Sequence, residues 1–311
     1  MQQSNVVVIG CGHMGCDIAA IFLKAGWRVQ AVEPFASNRA AAAGRMRDGV
    51  AVLQGSWSDE LLRVTAGIAE VDWSEARIVI ETVSEDLATK QQVFRELDER
   101  APAHIPIGSN SSGFRITDIA AGCSSAHRMA NAHFFLPAHI VPLVELAKGE
   151  KTSEAAILEL QEAFEAVGRV VVKINKDLPG LLANRIQHAL MREAFSIIDS
   201  GLATPEDVDK AVRYGFGFRY AAAGPILQKE LSGLDTQLAA ASSIYPSLCN
   251  DPQPSAGLRA LVEQGRAGTK SLRGFWDWTS EEAAAERLRF EAVLNRAAEL
   301  VQHSPAVLPG A

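Results

Sequence analysis

Hydrophobic residues in the first half of the chain fall into short runs separated by amphipathic stretches. The run at residues 6–9 is β-branched and does not alternate with polar residues, which is typical of a strand buried on both faces of a parallel sheet. A glycine-rich turn follows, and a helical pattern then runs from about residue 13 to residue 25 and ends at Gly26, in the position where a helix needs a left-handed residue. With a second strand at 28–32, these elements predict a right-handed βαβ unit.

The alternation of strands and helices continues to residue 174. Helical patterns are clearest at 87–100 and 152–167, and the Ala- and Arg-rich stretch between Glu33 and Arg77 is interpreted as helical. Because strands alternate with helices, the sequence predicts an α/β fold with a doubly wound, mostly parallel, Rossmann-like sheet. The further predicted strands are 78–82, 105–109, 129–134, 143–146 and 170–174.

The pattern changes after residue 176. Residues 181–200 have helical periodicity, and Thr204-Pro205 followed by acidic residues is a typical helix start. No strand-like run stands out in the rest of the sequence. We therefore predict a Rossmann-like domain at 1–176 and a smaller all-helical domain at 177–311.

The composition is that of an ordinary globular protein of 311 residues, with 48% hydrophobic and 22% charged residues. The net charge of −7 disfavours nucleic acid as a partner, because phosphate binding needs a basic excess. No apolar run is long enough to cross a membrane. The four cysteines lack metal-binding spacing, and so few thiols fit a cytoplasmic location. We expect neither a metal nor a membrane partner.

A glycine motif lies between the first predicted strand and the first predicted helix. Gly10, Gly12 and Gly15 match G-x-G-x-x-G, and His13 and Met14 occupy the variable positions. In this context the motif predicts a dinucleotide site. The glycines permit a tight turn and let the pyrophosphate approach the helix N-terminus.

Glu33 ends the second predicted strand, eighteen residues after Gly15. A carboxylate near this offset binds the ribose hydroxyls of a dinucleotide and repels a 2′-phosphate. We therefore expect NAD, in preference to NADP, as the cofactor. Arg39 is close enough in sequence to leave NADP open.

Several further segments carry a family resemblance. They are SNSSG at 109–113, NAHFFLP at 131–137, PLVE at 142–145 and ANR at 183–185. Together with the glycine motif, and in this order, they resemble the 3-hydroxyacyl-CoA dehydrogenase family. The resemblance extends from residue 6 to about residue 278 and implies an NAD-dependent oxidoreductase that acts on a small molecule as a homodimer.

The resemblance also implies roles for single residues. His133 corresponds to the catalytic base, Glu145 to the carboxylate that orients it, and Ser112 and Asn184 to residues that contact the reacting oxygen. These types suit the chemistry, because an imidazole accepts a proton near neutral pH and a carboxylate on its far nitrogen stabilises the imidazolium. The sequence departs from the family pattern at Leu136, where the family has asparagine, and this departure puts local positioning or substrate range in question.

Two substrate classes remain open. The segments around Asn184 and at 217–221 (GFRYA) look like the λ-crystallin, gulonate dehydrogenase and carnitine dehydrogenase branch, whose substrates are free 3-hydroxy acids. Arg219 or Lys270 would then pair with the carboxylate. The larger branch of the family oxidises 3-hydroxyacyl-CoA in fatty acid metabolism. Because most of the family belongs to this branch, a thioester such as 3-hydroxybutyryl-CoA is slightly favoured as the substrate. Candidates for binding the CoA phosphates are Arg39, Arg45 and Arg47.

Two other function classes are also considered. A hydrolase would use Ser112, His133 and Glu145 as a triad, but Ser112 is not in a G-x-S-x-G elbow and a hydrolase does not need a dinucleotide site. A non-catalytic, crystallin-like NAD-binding protein would have no physical reason to keep the complete set of catalytic residues. Both classes are therefore less well supported than a dehydrogenase.

Overall fold

The computed structural model of the protein describes residues 4–302. The chain forms two compact units, Met1–Asn184 and Arg185–Ala311. The sequence-based boundary after residue 176 stays a prediction. Residues 1–3 and 303–311, which the predicted domains include, lie outside the described range.

The described part of the first unit contains one eight-stranded sheet. The strand order is β3-β2-β1-β4-β5-β6-β7-β8, and all neighbours are parallel except β6 and β7. The strands are β1 Asn5–Ile9, β2 Arg28–Val32, β3 Leu62–Thr65, β4 Ala76–Glu81, β5 Ile107–Ser109, β6 Met129–Phe134, β7 Leu143–Lys148 and β8 Val170–Ile174. The helices of this unit are α1 His13–Lys24, α2 Ala36–Val52, α3 Leu87–Arg100, α4 Ile116–Ile119 and α5 Glu154–Ala166.

Helices cover both faces of the sheet, and the two cores follow the alternation of side chains along each strand. On β1, Val6 and Val8 join a core with α1, α2 and α5, whereas Val7 and Ile9 join a core with α3 and α4. Every residue of β1 is buried, which explains why its sequence is apolar without alternation. The predicted doubly wound α/β fold is confirmed.

The stretch between Glu33 and Arg77 is the main error of the sequence-based prediction. It contains α2, as expected, but it also contains β3 at the edge of the sheet. β3 pairs in parallel with β2, from Val29 opposite Leu62 to Val32 opposite Thr65. Because β3 has only four residues, the free edge of β2 rather than local propensity determines it.

The regular elements in the described part of the second unit are helices, apart from two isolated bridges, between Gly268 and Arg273 and between Arg273 and Asp277. Its helices are α6 Ala183–Asp199, which begins at the end of the first unit, then α7 Pro205–Ala211, α8 Gly217–Tyr220, α9 Pro225–Ser232, α10 Leu234–Ile244, α11 Ala256–Glu263 and α12 Ser280–Gln302. Thr204 caps α7 as predicted, because its hydroxyl accepts a hydrogen bond from the Asp207 backbone N–H at 3.2 Å. The predicted all-helical character is confirmed.

No helix within residues 4–302 is both long enough and apolar enough to span a membrane.

Candidate active site

The strand order reverses at β1, so the carboxyl ends of β1 and β4 flank a crevice, the usual binding place in doubly wound sheets. Gly10 follows β1 with a φ of +95°, and a Cβ there would lie 3.1 Å from the Thr82 backbone. At Gly15 a Cβ would lie 2.0 Å from the Gly10 carbonyl oxygen. Only glycine fits these two positions, so the tight turn depends on them.

Gly12 differs from its neighbours because nothing lies within 4 Å of the position a Cβ would take. It precedes α1, which has no side-chain cap and no acidic residue in its first turn. The first backbone N–H groups of α1 are therefore left for an anion. His13 is exposed and Met14 is partly buried against the core. The open side of this turn fits the pyrophosphate of a dinucleotide.

Glu33 is almost fully buried where β2 ends, and its carboxylate binds the glycine-rich turn. One oxygen accepts the Cys11 backbone N–H at 2.9 Å, and the other accepts the Phe35 N–H at 3.0 Å. Arg39 donates to the carbonyl oxygens of Glu33 and Pro34, at 2.8 and 2.9 Å. The carboxylate is thus fixed beside the turn, where a ribose of a bound dinucleotide is expected.

His133 and Glu145 lie opposite each other on the antiparallel strands β6 and β7. His133 Nδ1 is 3.0 Å from Glu145 Oε2, and both side chains are buried. The ring of Phe135 packs edge-on against the imidazole, with 4.6 Å between centroids. Because a carboxylate oxygen lies at hydrogen-bond distance from Nδ1, this geometry favours the tautomer with the proton on Nδ1, which leaves Nε2 as the acceptor nitrogen.

The second carboxylate oxygen of Glu145 accepts hydrogen bonds from the backbone. Oε1 accepts the backbone N–H groups of Leu182 and Ala183, at 3.1 and 2.7 Å. These residues immediately precede Asn184, which is half-buried near the start of α6. One buried carboxylate thus fixes both the imidazole and the backbone beside Asn184.

Ser112 lies in an exposed turn after β5, and its carbonyl accepts the Gly180 N–H at 3.2 Å. The turn is held beside β6, because Asn110 Oδ1 accepts the Phe134 N–H at 2.8 Å. Its buried neighbour Ser111 donates to Glu85 Oε1 at 2.6 Å. Of the predicted catalytic residues, His133 and Glu145 are in direct contact. Asn184 follows the two residues whose N–H groups bind Glu145, and Ser112 bonds Gly180, a few residues before them.

Beneath this turn lies a buried ion pair that the sequence analysis missed. Lys90 Nζ is 2.9 Å from Glu81 Oε1, and neither side chain is more than 1% exposed. Ser109 donates to Glu81 at 2.6 Å, and Lys90 also lies 3.4 Å from Glu85. The sequence signal was Glu81 itself, a charged residue at the end of an apolar strand, where a charge is costly without a partner.

The two predicted substrate-binding residues lie in the second unit. Arg219 is exposed on α8, and Lys270 is exposed in the turn closed by the bridge between Gly268 and Arg273. Among residues 4–302, no group of three or more His, Cys, Asp or Glu side chains is placed to hold a metal ion.

Two family models match successive segments of the chain between residues 5 and 278. Residues 5–178 match the NAD-binding domain of 3-hydroxyacyl-CoA dehydrogenase, and residues 180–278 match the C-terminal domain of the same family. The two matched domains come in the same order along the chain as the two compact units.

Individual relatives cover several substrates. The chain is 31% identical over 304 residues to 5-formyl-3-hydroxy-2-methylpyridine 4-carboxylate 5-dehydrogenase of Mesorhizobium japonicum, covering 95% of this chain and 98% of that one. It is 33% identical to 3-hydroxybutyryl-CoA dehydrogenase of Mycobacterium tuberculosis strain H37Rv (88% and 98%) and 30% identical to L-carnitine dehydrogenase of Nocardiopsis dassonvillei (97% and 94%).

A solved structure agrees with these matches. The crystal structure of a 5-formyl-3-hydroxy-2-methylpyridine 4-carboxylic acid 5-dehydrogenase, described as an NAD+-dependent dismutase, superposes with a TM-score of 0.91 at 28% identity, covering 98% of this chain and 100% of that one. The predicted resemblance and the predicted cofactor are confirmed. The chain belongs to the 3-hydroxyacyl-CoA dehydrogenase family and is an NAD-dependent dehydrogenase.

Proposed function

We propose that this dehydrogenase oxidises the 3-hydroxyl of a 3-hydroxyacyl substrate to the 3-keto product, with His133 as the general base. The observation that carries the proposal is the buried contact of 3.0 Å between His133 Nδ1 and Glu145 Oε2. It leaves Nε2 of the imidazole to take the hydroxyl proton. NAD, when bound, supplies the acceptor for the hydride.

Glu145 assists the base in two ways. Its Oε2 holds the imidazole in the tautomer that leaves Nε2 basic, and its negative charge stabilises the imidazolium that forms. Its Oε1 is held by the two backbone N–H groups of Leu182 and Ala183, so the carboxylate does not need to rotate during the reaction. This preorganisation lowers the cost of forming charge in a buried site.

Ser112 and Asn184 are proposed to hydrogen-bond the reacting oxygen as it changes from hydroxyl to carbonyl. Their attachment to the site supports this role, since Ser112 bonds Gly180 through its carbonyl and Asn184 follows the two residues bound by Glu145. Neither role requires the side chain to ionise, because a hydroxyl and an amide both donate while neutral.

The glycine-rich turn is proposed to hold the cofactor. Gly10, Gly12 and Gly15 keep the turn tight and open on one side, and α1 directs its N-terminus towards the pyrophosphate. His13 and Met14 would line this turn. Glu33 is proposed to bind the adenosine ribose and to disfavour NADP.

For the acyl group, a CoA thioester such as 3-hydroxybutyryl-CoA is the first candidate. It is supported by the family description and by the relatives named 3-hydroxybutyryl-CoA dehydrogenase. Arg45 and Arg47 are exposed on α2, where a CoA phosphate could reach them. Arg47 lies 3.4 Å from Asp59 and over the Trp57 ring, so it would exchange these contacts for the phosphate. Such a substrate would place the enzyme in fatty acid metabolism.

A free hydroxy acid is the second candidate. It is supported by the relatives that act on carnitine and on a pyridine carboxylate, which match this chain over 94% or more of their length. Arg219 and Lys270 are exposed, so either is available to pair with a substrate carboxylate.

The two candidates are separated by assaying NADH formation with 3-hydroxybutyryl-CoA, 3-hydroxybutyrate, carnitine and gulonate. For a thioester, Arg45→Ala with Arg47→Ala raises KM in a salt-dependent way and Arg219→Met has little effect. For a free acid, Arg219→Met raises KM strongly. Arg63→Ala, an exposed arginine on β3, is the matched control. Activity on none of the four substrates would contradict both candidates.

A homodimer is proposed from the second unit. Among its described residues, only Ala194 and Ala283 are buried hydrophobics, whereas Ile226 and Leu231 are each 77% exposed. A helical unit with so little core needs a partner to cover its apolar faces. Light scattering is expected to give twice the chain mass, and a monomer at micromolar concentration would contradict the proposal. A cytoplasmic location stays a prediction.

A further inference from the structure

A second histidine–carboxylate contact lies close to the proposed base. Residues 135–142, called the β6–β7 loop, connect the strand of His133 to the strand of Glu145. Asp17 of α1 reaches this loop, where its Oδ2 accepts the Ala138 backbone N–H at 3.1 Å. His139 Nδ1 lies 2.9 Å from the same oxygen, a close contact that lacks the alignment of a hydrogen bond.

Both side chains are largely shielded from water, with 15% of the His139 side chain and 21% of the Asp17 side chain exposed. A carboxylate in such a place needs partners, because burying a charge without them is costly. Here one oxygen contacts two consecutive residues of the loop. The carboxylate therefore fixes the loop at a single point in its middle.

Arg169 binds the same loop residue, Ala138, through its backbone carbonyl. Its buried guanidinium donates from Nη1 to the carbonyl oxygens of Ala138 and Val141, at 3.4 and 3.3 Å. The Ala138 residue thus has its N–H bound by an anion and its carbonyl bound by a cation. A loop held in this way has little freedom to move.

The contact connects two parts of the proposed active site. Asp17 lies two residues after Gly15 on α1, the helix proposed to hold the pyrophosphate. The loop begins with Phe135, whose ring packs against the His133 imidazole. A shift of the loop relative to α1 would therefore move the packing partner of the proposed base.

We propose that Asp17 and His139 are positioning residues for the dehydrogenase reaction, which tie the β6–β7 loop to α1 and so fix the His133 imidazole relative to the cofactor turn. The inference rests on the proposed role of His133. Neither residue touches the reacting atoms. Their removal is expected to slow the chemical step while cofactor binding persists, since a small misplacement of a base is costly in rate.

The test is steady-state kinetics of Asp17→Ala, His139→Ala and the double variant, with a candidate substrate that the wild-type enzyme oxidises. Asp17→Ala is expected to lower kcat about tenfold, the scale of one lost hydrogen bond to a charged group, and His139→Ala by a smaller factor, with KM for NAD and NADH binding little changed in both. The double variant should lose no more than the worse single variant, because both changes break the same tie.

Two conservative variants add a readout that a loss of folding would not mimic. His139→Asn can place an N–H donor towards Asp17 and should restore most of kcat. Asp17→Asn keeps an acceptor for the Ala138 N–H but loses the charge facing His139, so it should lie between the wild type and Asp17→Ala. If neither conservative variant improves on its alanine counterpart, the proposal is overturned.

Asp98→Ala is the matched control. Asp98 accepts the backbone N–H groups of Ser124 and Ser125, much as Asp17 accepts that of Ala138, but the loop that Asp98 binds lies before β6. It should lower the thermal midpoint without lowering kcat. An equal loss of kcat in Asp98→Ala, or wild-type kcat in both Asp17→Ala and His139→Ala, would overturn the proposal.

His133→Gln is measured alongside these variants. Wild-type activity in His133→Gln means that the proposed function has failed, and the positioning role fails with it. An inactive His133→Gln together with normal Asp17 and His139 variants means that only the positioning role has failed.

Discussion

Replacing Glu145 by glutamine tests whether this carboxylate sets the tautomer of the proposed base, His133. In the wild type, Oε2 faces His133 Nδ1 and Oε1 accepts two backbone N–H groups, of Leu182 and Ala183. A glutamine has one acceptor oxygen and one NH2 group. Because the two backbone donors need the oxygen, the NH2 group is turned towards the imidazole. Nδ1 must then become the acceptor, and the proton moves to Nε2.

With the proton on Nε2, this nitrogen can no longer accept the hydroxyl proton of the substrate. The expected loss in kcat for Glu145→Gln is on the order of 10⁴-fold, the size associated with the wrong tautomer of a catalytic imidazole. The fold is expected to remain intact, because both backbone N–H groups keep an acceptor. Raising the pH should not restore the rate, because the fault is the position of the proton.

Glu145→Ala provides the contrast. It leaves the Leu182 and Ala183 N–H groups without an acceptor, at about 1–3 kcal/mol each. We therefore expect it to lose both activity and stability, whereas Glu145→Gln loses activity with only a small change in thermal midpoint. NADH absorbance measures kcat, and NADH fluorescence reports cofactor binding. A Glu145→Gln variant within tenfold of wild-type kcat would refute the tautomer argument.

Three further predictions concern other parts of the first unit. Wild-type protein should bind NAD better than NADP, and Glu33→Ala should narrow the difference in titrations; equal wild-type affinities would contradict the role of Glu33. Burial raises the pKa of Cys11 to about 12 and of Cys16 to about 11, so both thiols should resist iodoacetamide in mildly alkaline buffer; rapid alkylation of folded protein, detected by mass spectrometry, would argue against this. Burial acts to raise the pKa of Glu85, but hydrogen bonds from Ser111 and the Gly113 backbone outweigh it and hold the pKa below the usual 4.5. The stabilisation by Glu85 is therefore present near neutral pH and lost as the pH falls below 4.5, so Glu85→Gln should lose less stability on acidification than the wild type; identical acid-unfolding curves would count against this.

Much of the fold follows from sequence because the strands of the sheet centre are buried on both faces. β1 is marked by an apolar run followed by a glycine turn, and α3 was predicted with its observed bounds of Leu87–Arg100. β3 was missed because an edge strand of four residues has little local signal and depends on the edge of β2. The sequence also did not reveal which strand runs antiparallel. Yet this reversal in β7 is what places Glu145 opposite His133.

The site was predictable only in part, because some of its contacts depend on how the strands and helices are arranged and not on local sequence. Glu145 was predicted from the family resemblance, and its place within an apolar strand is typical of a charge that has a buried partner. Glu81 is a charge in the same kind of strand. Its partner Lys90 is reached only when α3 packs over β4. The contact of Asp17 with His139 joins segments far apart in sequence, so no local pattern indicates it. Pairings of this kind are set by the topology of the sheet.

The most direct test of the central claim is single-turnover formation of NADH by His133→Gln, measured beside the wild type with whichever candidate substrate the wild type oxidises. NADH fluorescence first establishes that the variant binds the cofactor. If His133 is the base, NADH forms roughly 10²–10⁴ times more slowly in the variant while the affinity for NADH is retained. NADH formation at the wild-type rate by His133→Gln would contradict the assignment of the base and, with it, the proposed mechanism.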